Sequence, residues 1–398
     1  MAVGYLITVI LLGAGTCCAL WPPGTATRND GSRPAPRWGA AAYLLGMTFS
    51  EAPLFPLLIA ASSTALAAAE GQLQNPWGVA GAAGMALVAG GLLLVAARAV
   101  RSRAAAWQSL DRDVGAYTGS APKNTGLPGP RRPGYGLAVL GLLMPFRRRR
   151  RDVRRIANLH YGGPRRRLDL YLPRRQPVTG GVFIHFHGGR FVSGAKSRES
   201  LYLLHRLAAH GWACISADYT LAPAGRFPEY VVDAKRVIAW VRSSGPEYGT
   251  GSGPVIVAGN SAGAFLAAFA ALTPNRPELQ PGFKDADTSV AGAVCLYGYY
   301  GRVHGSDPQS SALARIHAGA PPFFILHGDR DSIVPVEHGR GFARALATVS
   351  LQPVAWCVLP GAQHSFDYFA SVRARCTAEA IERFVGWVQV RGERRVEP

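Results

Sequence analysis

The stretch VIVAGNSAGAFLAAFAAL, Val255 to Leu272, constrains the fold of this chain more than any other. Its first half is short, β-branched and bounded by Gly253-Pro254, and its second is rich in Ala, Leu and Phe at helical spacing. An apolar strand gives way to an apolar helix, with Ser261 on the turn between them. The alternation recurs from about Ile156 onward. Strands are expected at LDLYL (from Leu168), GVFIHFH (Gly181), ACISADY (Ala213), PVIVAGN (Pro254), VAGAVCLYG (Val290), PPFFILHG (Pro321) and PVAWCVLPG (Pro353). Helices are expected at about 198–210, 228–243, 261–272, 336–347 and 376–389. That order specifies an α/β domain over 156–398, a mostly parallel sheet with helices on both faces. In such sheets active sites collect beyond the carboxyl ends of the strands.

At 398 residues there is room for a second region before this domain. The formal charge of +19 would suit a polyanion, but 39 of the 43 basic residues are arginine, a compositional habit rather than a binding signal. Nucleic acid is therefore not an expected partner. Six cysteines include no CxxC pair, and Cys214, Cys295 and Cys357 sit in apolar strand-like runs, where they read as small buried hydrophobes.

Residues 1–100 read as a transmembrane region of about three helices. Met1 to Trp21 carries no charge, is long enough for a hydrocarbon core of roughly 30 Å, and lacks the basic start of a signal peptide. Trp38 to Ala69 is too long for one straight span and contains Glu51, Pro53 and Pro56, so it must tilt, kink or break there; Trp77 to Ala97 is the third stretch. A carboxylate in such a segment can mark a transport path, but Glu51 has no partner in the pattern and reads as a group at a kink or interface. Arg28, Arg33 and Arg37 follow the first span and Arg98, Arg101 and Arg103 the third, while the intervening loop offers only Glu70. Three crossings put both basic flanks on one side, which the positive-inside rule makes cytoplasmic. A multi-pass membrane protein with a cytoplasmic catalytic domain is expected; a second stretch that folds back without crossing would invert the orientation. Residues 101–155 read as a Gly/Pro/Arg-rich linker. Within it GYGLAVLGLLMPF (Gly134 to Phe146) precedes RRRRRDVRR, a pairing that suits the headgroup region of an anionic leaflet or, failing that, a solvated linker.

Gly259-Asn260-Ser261-Ala262-Gly263 fits the nucleophile-elbow pattern G-x-S-x-G, and its strand-turn-helix context gives the pattern weight. A serine hydroxyl needs a base to take its proton, and the base needs an acid to hold its tautomer. HGDRDSIVP ends one later strand with Asp331, and LPGAQHSFD ends the next with His364. Asp329 and His338 compete; Asp331 lies further into its loop, and His338 would have to reach back from a helix. For the oxyanion, His187-Gly188-Gly189-Arg190 follows a strand with glycines that let backbone N–H groups face a ligand, and Ala262 supplies another N–H. No metal or cofactor is implied.

These residues resemble the hormone-sensitive-lipase-like branch of the α/β-hydrolases, bacterial carboxylesterases and acetyl esterases. HGGRF is similar to that branch's HGGG loop, GNSAG to its GDSAG elbow, and DYTLAPAGRFPEYVVDA to its DYRLAPEHPFPAALEDA stretch. The likeness covers about 165–390, and FFILHGDRDSIVPVEH narrows it to actinobacterial, membrane-anchored Lip-type esterases. It implies a serine carboxylesterase or lipase-like enzyme working through Ser261, His364, Asp331 and an acyl-enzyme, with the N–H groups of Gly189, Arg190 and Ala262 as oxyanion donors and small-molecule esters as substrates; the apolar N-terminal region suggests lipophilic esters drawn from the bilayer. Two residues depart from the pattern: Arg190 replaces the third glycine and Ala224 the usual glutamate after Leu-Ala-Pro. An amidase or arylformamidase on the same scaffold, a noncatalytic binding protein, and a transporter built on the first hundred residues are the alternatives.

Overall fold

The computed structural model describes residues 3–23, 39–118, 135–163, 166–250, 253–305 and 307–394. Arg28, Arg33 and Arg37 lie outside the described residues, as does most of the TGLPGPRRPGYG stretch.

The α/β domain is built on β1 (Val153–His160), β2 (Arg167–Pro173), β3 (Val182–Phe186), β4 (Ala213–Ala217), β5 (Val255–Asn260), β6 (Gly292–Leu296), β7 (Phe323–Gly328) and β8 (Val354–Leu359). They form one sheet in the order β1-β2-β4-β3-β5-β6-β7-β8, with β1 and β2 antiparallel to their neighbours and the rest parallel. The strands β3 to β7 are buried at every position, as continuous apolar runs require when both faces are covered. One face packs against α7 (Glu229–Ser243), α8 (Ala262–Leu272) and α9 (Val336–Val349), and the other against α6 (Leu201–Ala209) and α10 (Val372–Arg394).

β1 was not expected from its sequence. Its burial alternates poorly, with Arg154 and Arg155 exposed, and a register shift at Ile156/Leu159 breaks the period of two.

Before the sheet come α1 (Val3–Leu20), α2 (Gly39–Glu51), α3 (Leu54–Ala69), α4 (Pro76–Thr118) and α5 (Tyr135–Leu143). Helices α1 and α4 are each long and apolar enough to cross a membrane, and α2 and α3 meet at an 88° bend. The expected break thus falls at Ala52-Pro53. Close small-residue contacts fix the packing: Gly81 against Tyr5, Gly84 against Val9 and Gly91 against Thr16 make α1 and α4 parallel. The Tyr5 hydroxyl meets Thr64 Oγ1 at 3.1 Å, so α3 returns toward the start of α1. α2 lies against the last turns of α1, with Phe49 on Gly15 and Gly46 on the Cys18 carbonyl.

Residues 101–118, expected as linker, are a correction. They continue α4, because a buried stripe of Met85, Val88, Leu92, Val95, Ala99, Ser102, Ala106, Leu110 and Val114 keeps helical spacing straight through the arginines. Ala106, Leu110 and Val114 belong to the same core cluster as α6 and α10. At about 1.5 Å per residue the single helix is roughly 65 Å long, and it joins the apolar region to the α/β domain without a hinge.

Candidate active site

Ser261 follows β5 with φ 53° and ψ −114°, a strained conformation outside the regions that L-residues favour. The flanking glycines make the turn possible by close approach. A Cβ on Gly263 would lie 2.0 Å from the Phe186 carbonyl oxygen, and one on Gly259 2.1 Å from the Gly263 carbonyl oxygen.

Asp331 and His364 stand beyond the ends of β7 and β8. The His364 Nδ1 and Asp331 Oδ2 are 2.7 Å apart. Asp331 Oδ1 accepts the Ile333 and Val334 backbone N–H groups at 2.9 and 2.8 Å, and its side chain is wholly buried. Burial alone would raise this carboxyl, but the His364 and His327 rings outweigh it and hold Asp331 well below the usual carboxylate range. The competitors are placed elsewhere. Asp329 Oδ1 accepts the Gly361 N–H at 2.7 Å, steadying the loop that carries His364, and the His338 ring packs on Tyr299 at 5.0 Å.

The loop after β3 brings Gly188 against Ser261, where a Cβ on the glycine would lie 3.1 Å from the serine Cβ. The Gly188 N–H donates to Glu199 Oε2 at 2.6 Å, whereas the N–H groups of Gly189, Arg190 and Ala262 have no protein acceptor among the described residues. His187 is buried and acts as a strut. Its Nδ1 donates to the Gly188 carbonyl at 2.7 Å, its ring stacks on Tyr219 at 4.5 Å, and burial depresses its basicity. The Arg190 side chain is exposed.

Several residues here had no signal in the sequence. The Glu199 carboxyl, desolvated and close to Asp367, is pushed up to about 8. Asp367 accepts the Ser200 N–H at 3.1 Å, the Asn260 Nδ2–H at 2.7 Å and the Tyr297 hydroxyl. The Tyr297 ring in turn sits 4.5 Å from His364. Asn260 thereby ties the serine turn to the histidine loop. His327 Nε2 lies 3.2 Å from Asp331 Oδ2 and donates to the Val334 carbonyl at 2.8 Å. Gln363 Oε1 accepts the His364 and Ser332 N–H groups at 2.8 and 2.7 Å.

The apolar region also reaches the site. From α2, the Tyr43 hydroxyl lies 3.4 Å from the His364 carbonyl oxygen and Ser50 Oγ 3.3 Å from that of Gly361. Glu51, read from the sequence as a group at a kink or interface, forms a fully buried ion pair with Arg373, and its other oxygen accepts the Ser371 hydroxyl at 2.7 Å. The histidine loop is thus fastened at both ends to α2.

Residues 168–301 match the BD-FAE family. The probable carboxylic ester hydrolase LipM of Mycobacterium tuberculosis is 37% identical over 268 residues, covering 60% of this chain and 62% of LipM. The esterase LipC of the same organism is 35% identical over 269 residues, covering 61% of this chain and 67% of LipC. This chain therefore spans a little under two thirds of LipM and about two thirds of LipC. A truncated carbohydrate esterase from gut microbiota shares the fold with a TM-score of 0.54 at 19% identity, over 61% of this chain and 99% of that one. Thermogutta terrifontis esterase 2, solved phosphonylated by sarin, does so with a TM-score of 0.52 at 23% identity, over 57% of this chain and 93% of that one.

Proposed function

The chain belongs to the Lip esterase family, in the hormone-sensitive-lipase-like branch of the α/β-hydrolases, and from that membership we propose that it is a serine carboxylesterase. Ser261 Oγ attacks the acyl carbonyl while His364 takes its proton, and Asp331 holds the His364 tautomer and stabilises the imidazolium. The free N–H groups of Gly189, Arg190 and Ala262 receive the oxyanion. His364 then protonates the departing alcohol, and water, deprotonated by the same ring, releases the acid from the acyl-enzyme. The observation that carries this reading is the 2.7 Å His364–Asp331 contact, with the carboxylate's second oxygen held by two backbone N–H groups.

The test is hydrolysis of p-nitrophenyl esters from acetate to palmitate by the detergent-solubilised protein and its Ser261→Ala variant. Turnover lost in the variant, with a fluorophosphonate labelling only the wild type, is expected. Folded wild type that cleaves an anilide but no ester would replace the ester with an amide, and one that cleaves neither would remove the enzyme reading.

We propose further that α1, α3 and α4 each cross the membrane, with α2 lying between their ends and the catalytic domain. The parallel packing of α1 on α4 supports an odd number of crossings, and Arg98, Arg101 and Arg103 favour a cytoplasmic catalytic side. With α2 on the histidine loop, lipophilic esters at the membrane surface are the substrates this arrangement favours. A reporter fused after Pro398 that works only outside the cytoplasm would overturn the orientation.

A further inference from the structure

A cleft of about 470 Å³ opens on the catalytic domain beside α5. Four arginines of the 147–151 run line it together with Arg175, Arg206 and Arg375, which come from three separate parts of the catalytic domain. Among the described residues, two of the seven guanidinium groups have carboxylate partners: Arg150 pairs with Asp152 and Arg206 with Glu382, each at 2.6 Å. Arg375, only 7% exposed, donates to the Ala370 carbonyl at 2.9 Å and lies 4.6 Å over the Tyr202 ring, so its charge has no counter-ion among the described residues. The surplus is felt nearby: burial together with Arg149 and Arg150 drops the His205 ring to about 4.

Beside this basic cleft runs an apolar strip. Val139, Leu140, Leu143, Met144 and Phe146 are 40–59% exposed, and Leu140 also lines the cleft. Phe146 packs at 5.4 Å on Phe55, at the start of α3, which makes the strip continuous with the exposed side of the apolar helices. Contiguous exposed apolar surface of this kind marks an interaction site. A soluble polyanion would leave the strip in water, whereas a leaflet takes both parts, the strip among acyl chains and the arginines among headgroups.

We propose that this cleft binds the headgroup of an anionic phospholipid whose acyl chains run along the exposed strip of α5. The phosphate sits over Arg375, with Arg149, Arg151 and Arg175 at the rim. The site is separate from the ester-cleaving groups and does not depend on the proposed reaction.

The test uses the full chain in a neutral detergent, with fluorescent phosphatidylglycerol and phosphatidylcholine as probes. Wild type should bind the first at least tenfold more tightly. The variant Arg149→Gln/Arg151→Gln/Arg175→Gln should lose about two orders of magnitude for it, at roughly fivefold per cation, with phosphatidylcholine binding and p-nitrophenyl butyrate hydrolysis unchanged. Leu143→Ser should weaken the lipid but not its water-soluble glycerophosphoglycerol headgroup. Equal affinity for the two lipids, or a triple variant that binds as wild type does, overturns the site. Inorganic phosphate competing as well as the lipid would reassign the cleft to a soluble ligand and overturn the lipid assignment.

Discussion

Glu51→Ala is the perturbation that most directly tests how the apolar region meets the catalytic domain. Both members of the Glu51–Arg373 pair have fully buried side chains. In the variant the Arg373 guanidinium keeps only the Ser50 hydroxyl at 3.3 Å and the Pro360 carbonyl at 3.2 Å. Removing one partner of a buried pair typically costs about 3–5 kcal/mol, most of it the penalty of the orphaned charge. For a domain of this size each kcal/mol moves the midpoint by about 2–4 °C, so thermal inactivation of ester hydrolysis should shift down by roughly 6–20 °C. Because Ser50 and Tyr43 touch the backbone of Gly361 and His364, kcat measured well below the new midpoint should fall more than KM rises. Glu51→Leu/Arg373→Met, which removes both charges, should recover at least half of the shift. An inactivation midpoint within 2 °C of wild type would refute the docking of α2 on the histidine loop. A double variant no better than the single would show that the cost lies in lost packing and not in an unpaired charge.

Four other outcomes follow from the same contacts. Asp331→Asn should keep the fold and lower kcat by about four orders of magnitude, since the amide presents the wrong partner to His364 Nδ1; steady-state kinetics checks it. Glu199 keeps its proton in the folded protein between its ordinary 4.5 and about 8, so its contribution to stability is complete below 4.5 and is lost as pH rises through 8. Its ionisation there also sets a negative charge on Gly188 beside the developing oxyanion, so kcat should drop on the order of tenfold above pH 8, and Glu199→Gln should abolish that limb of the pH profile. Gly263→Ala should destabilise by at least about 2 kcal/mol in denaturant titration, because the new methyl meets the Phe186 carbonyl at 2.0 Å. A chain cut to start after Thr118 should aggregate on size-exclusion chromatography at concentrations where the full chain in detergent does not.

The residues proposed to carry the chemistry could be singled out in the sequence because each sits in a short local pattern at a strand end: Ser261 between its glycines, Asp331 after HGDR, and His364 within GAQHSFD. The central strands were legible because they are apolar throughout. β1 was not, since its arginines lie on an exposed edge where no alternation is enforced. Glu199 and Asp367 escaped notice because their environments are made by distant chain segments, Asp367 by Ser200, Asn260 and Tyr297 together. Tyr43 and His364 are separated by 321 positions, and nothing in GAAAYLLGMTFSE distinguishes a helix that docks on a catalytic loop from one surrounded by lipid. Glu51 was the one hint, a carboxylate too costly to leave unpaired in an apolar helix.

The end of α4 explains why the apolar helices and the α/β domain cannot be treated as separate units. β8 is an edge of the sheet, and the outward N–H and C=O groups of an edge strand invite pairing with another chain. Here Asp113 Oδ2 accepts the Trp356 N–H at 3.0 Å and Arg112 Nη2 donates to the Trp356 carbonyl at 3.2 Å. One turn of α4 therefore supplies at Trp356, through side chains, two of the hydrogen bonds that a ninth strand would have made, while Ala106, Leu110 and Val114 fill the core beneath it. The same helix is apolar enough at its other end to cross a membrane. On the proposed topology, a helix that closes the sheet, fills its core and continues into the bilayer transmits the orientation of the membrane rigidly to the α/β domain, and α2 repeats the link at the histidine loop. The position of His364 relative to the apolar helices is consequently a property of the fold, fixed by packing at two separate places.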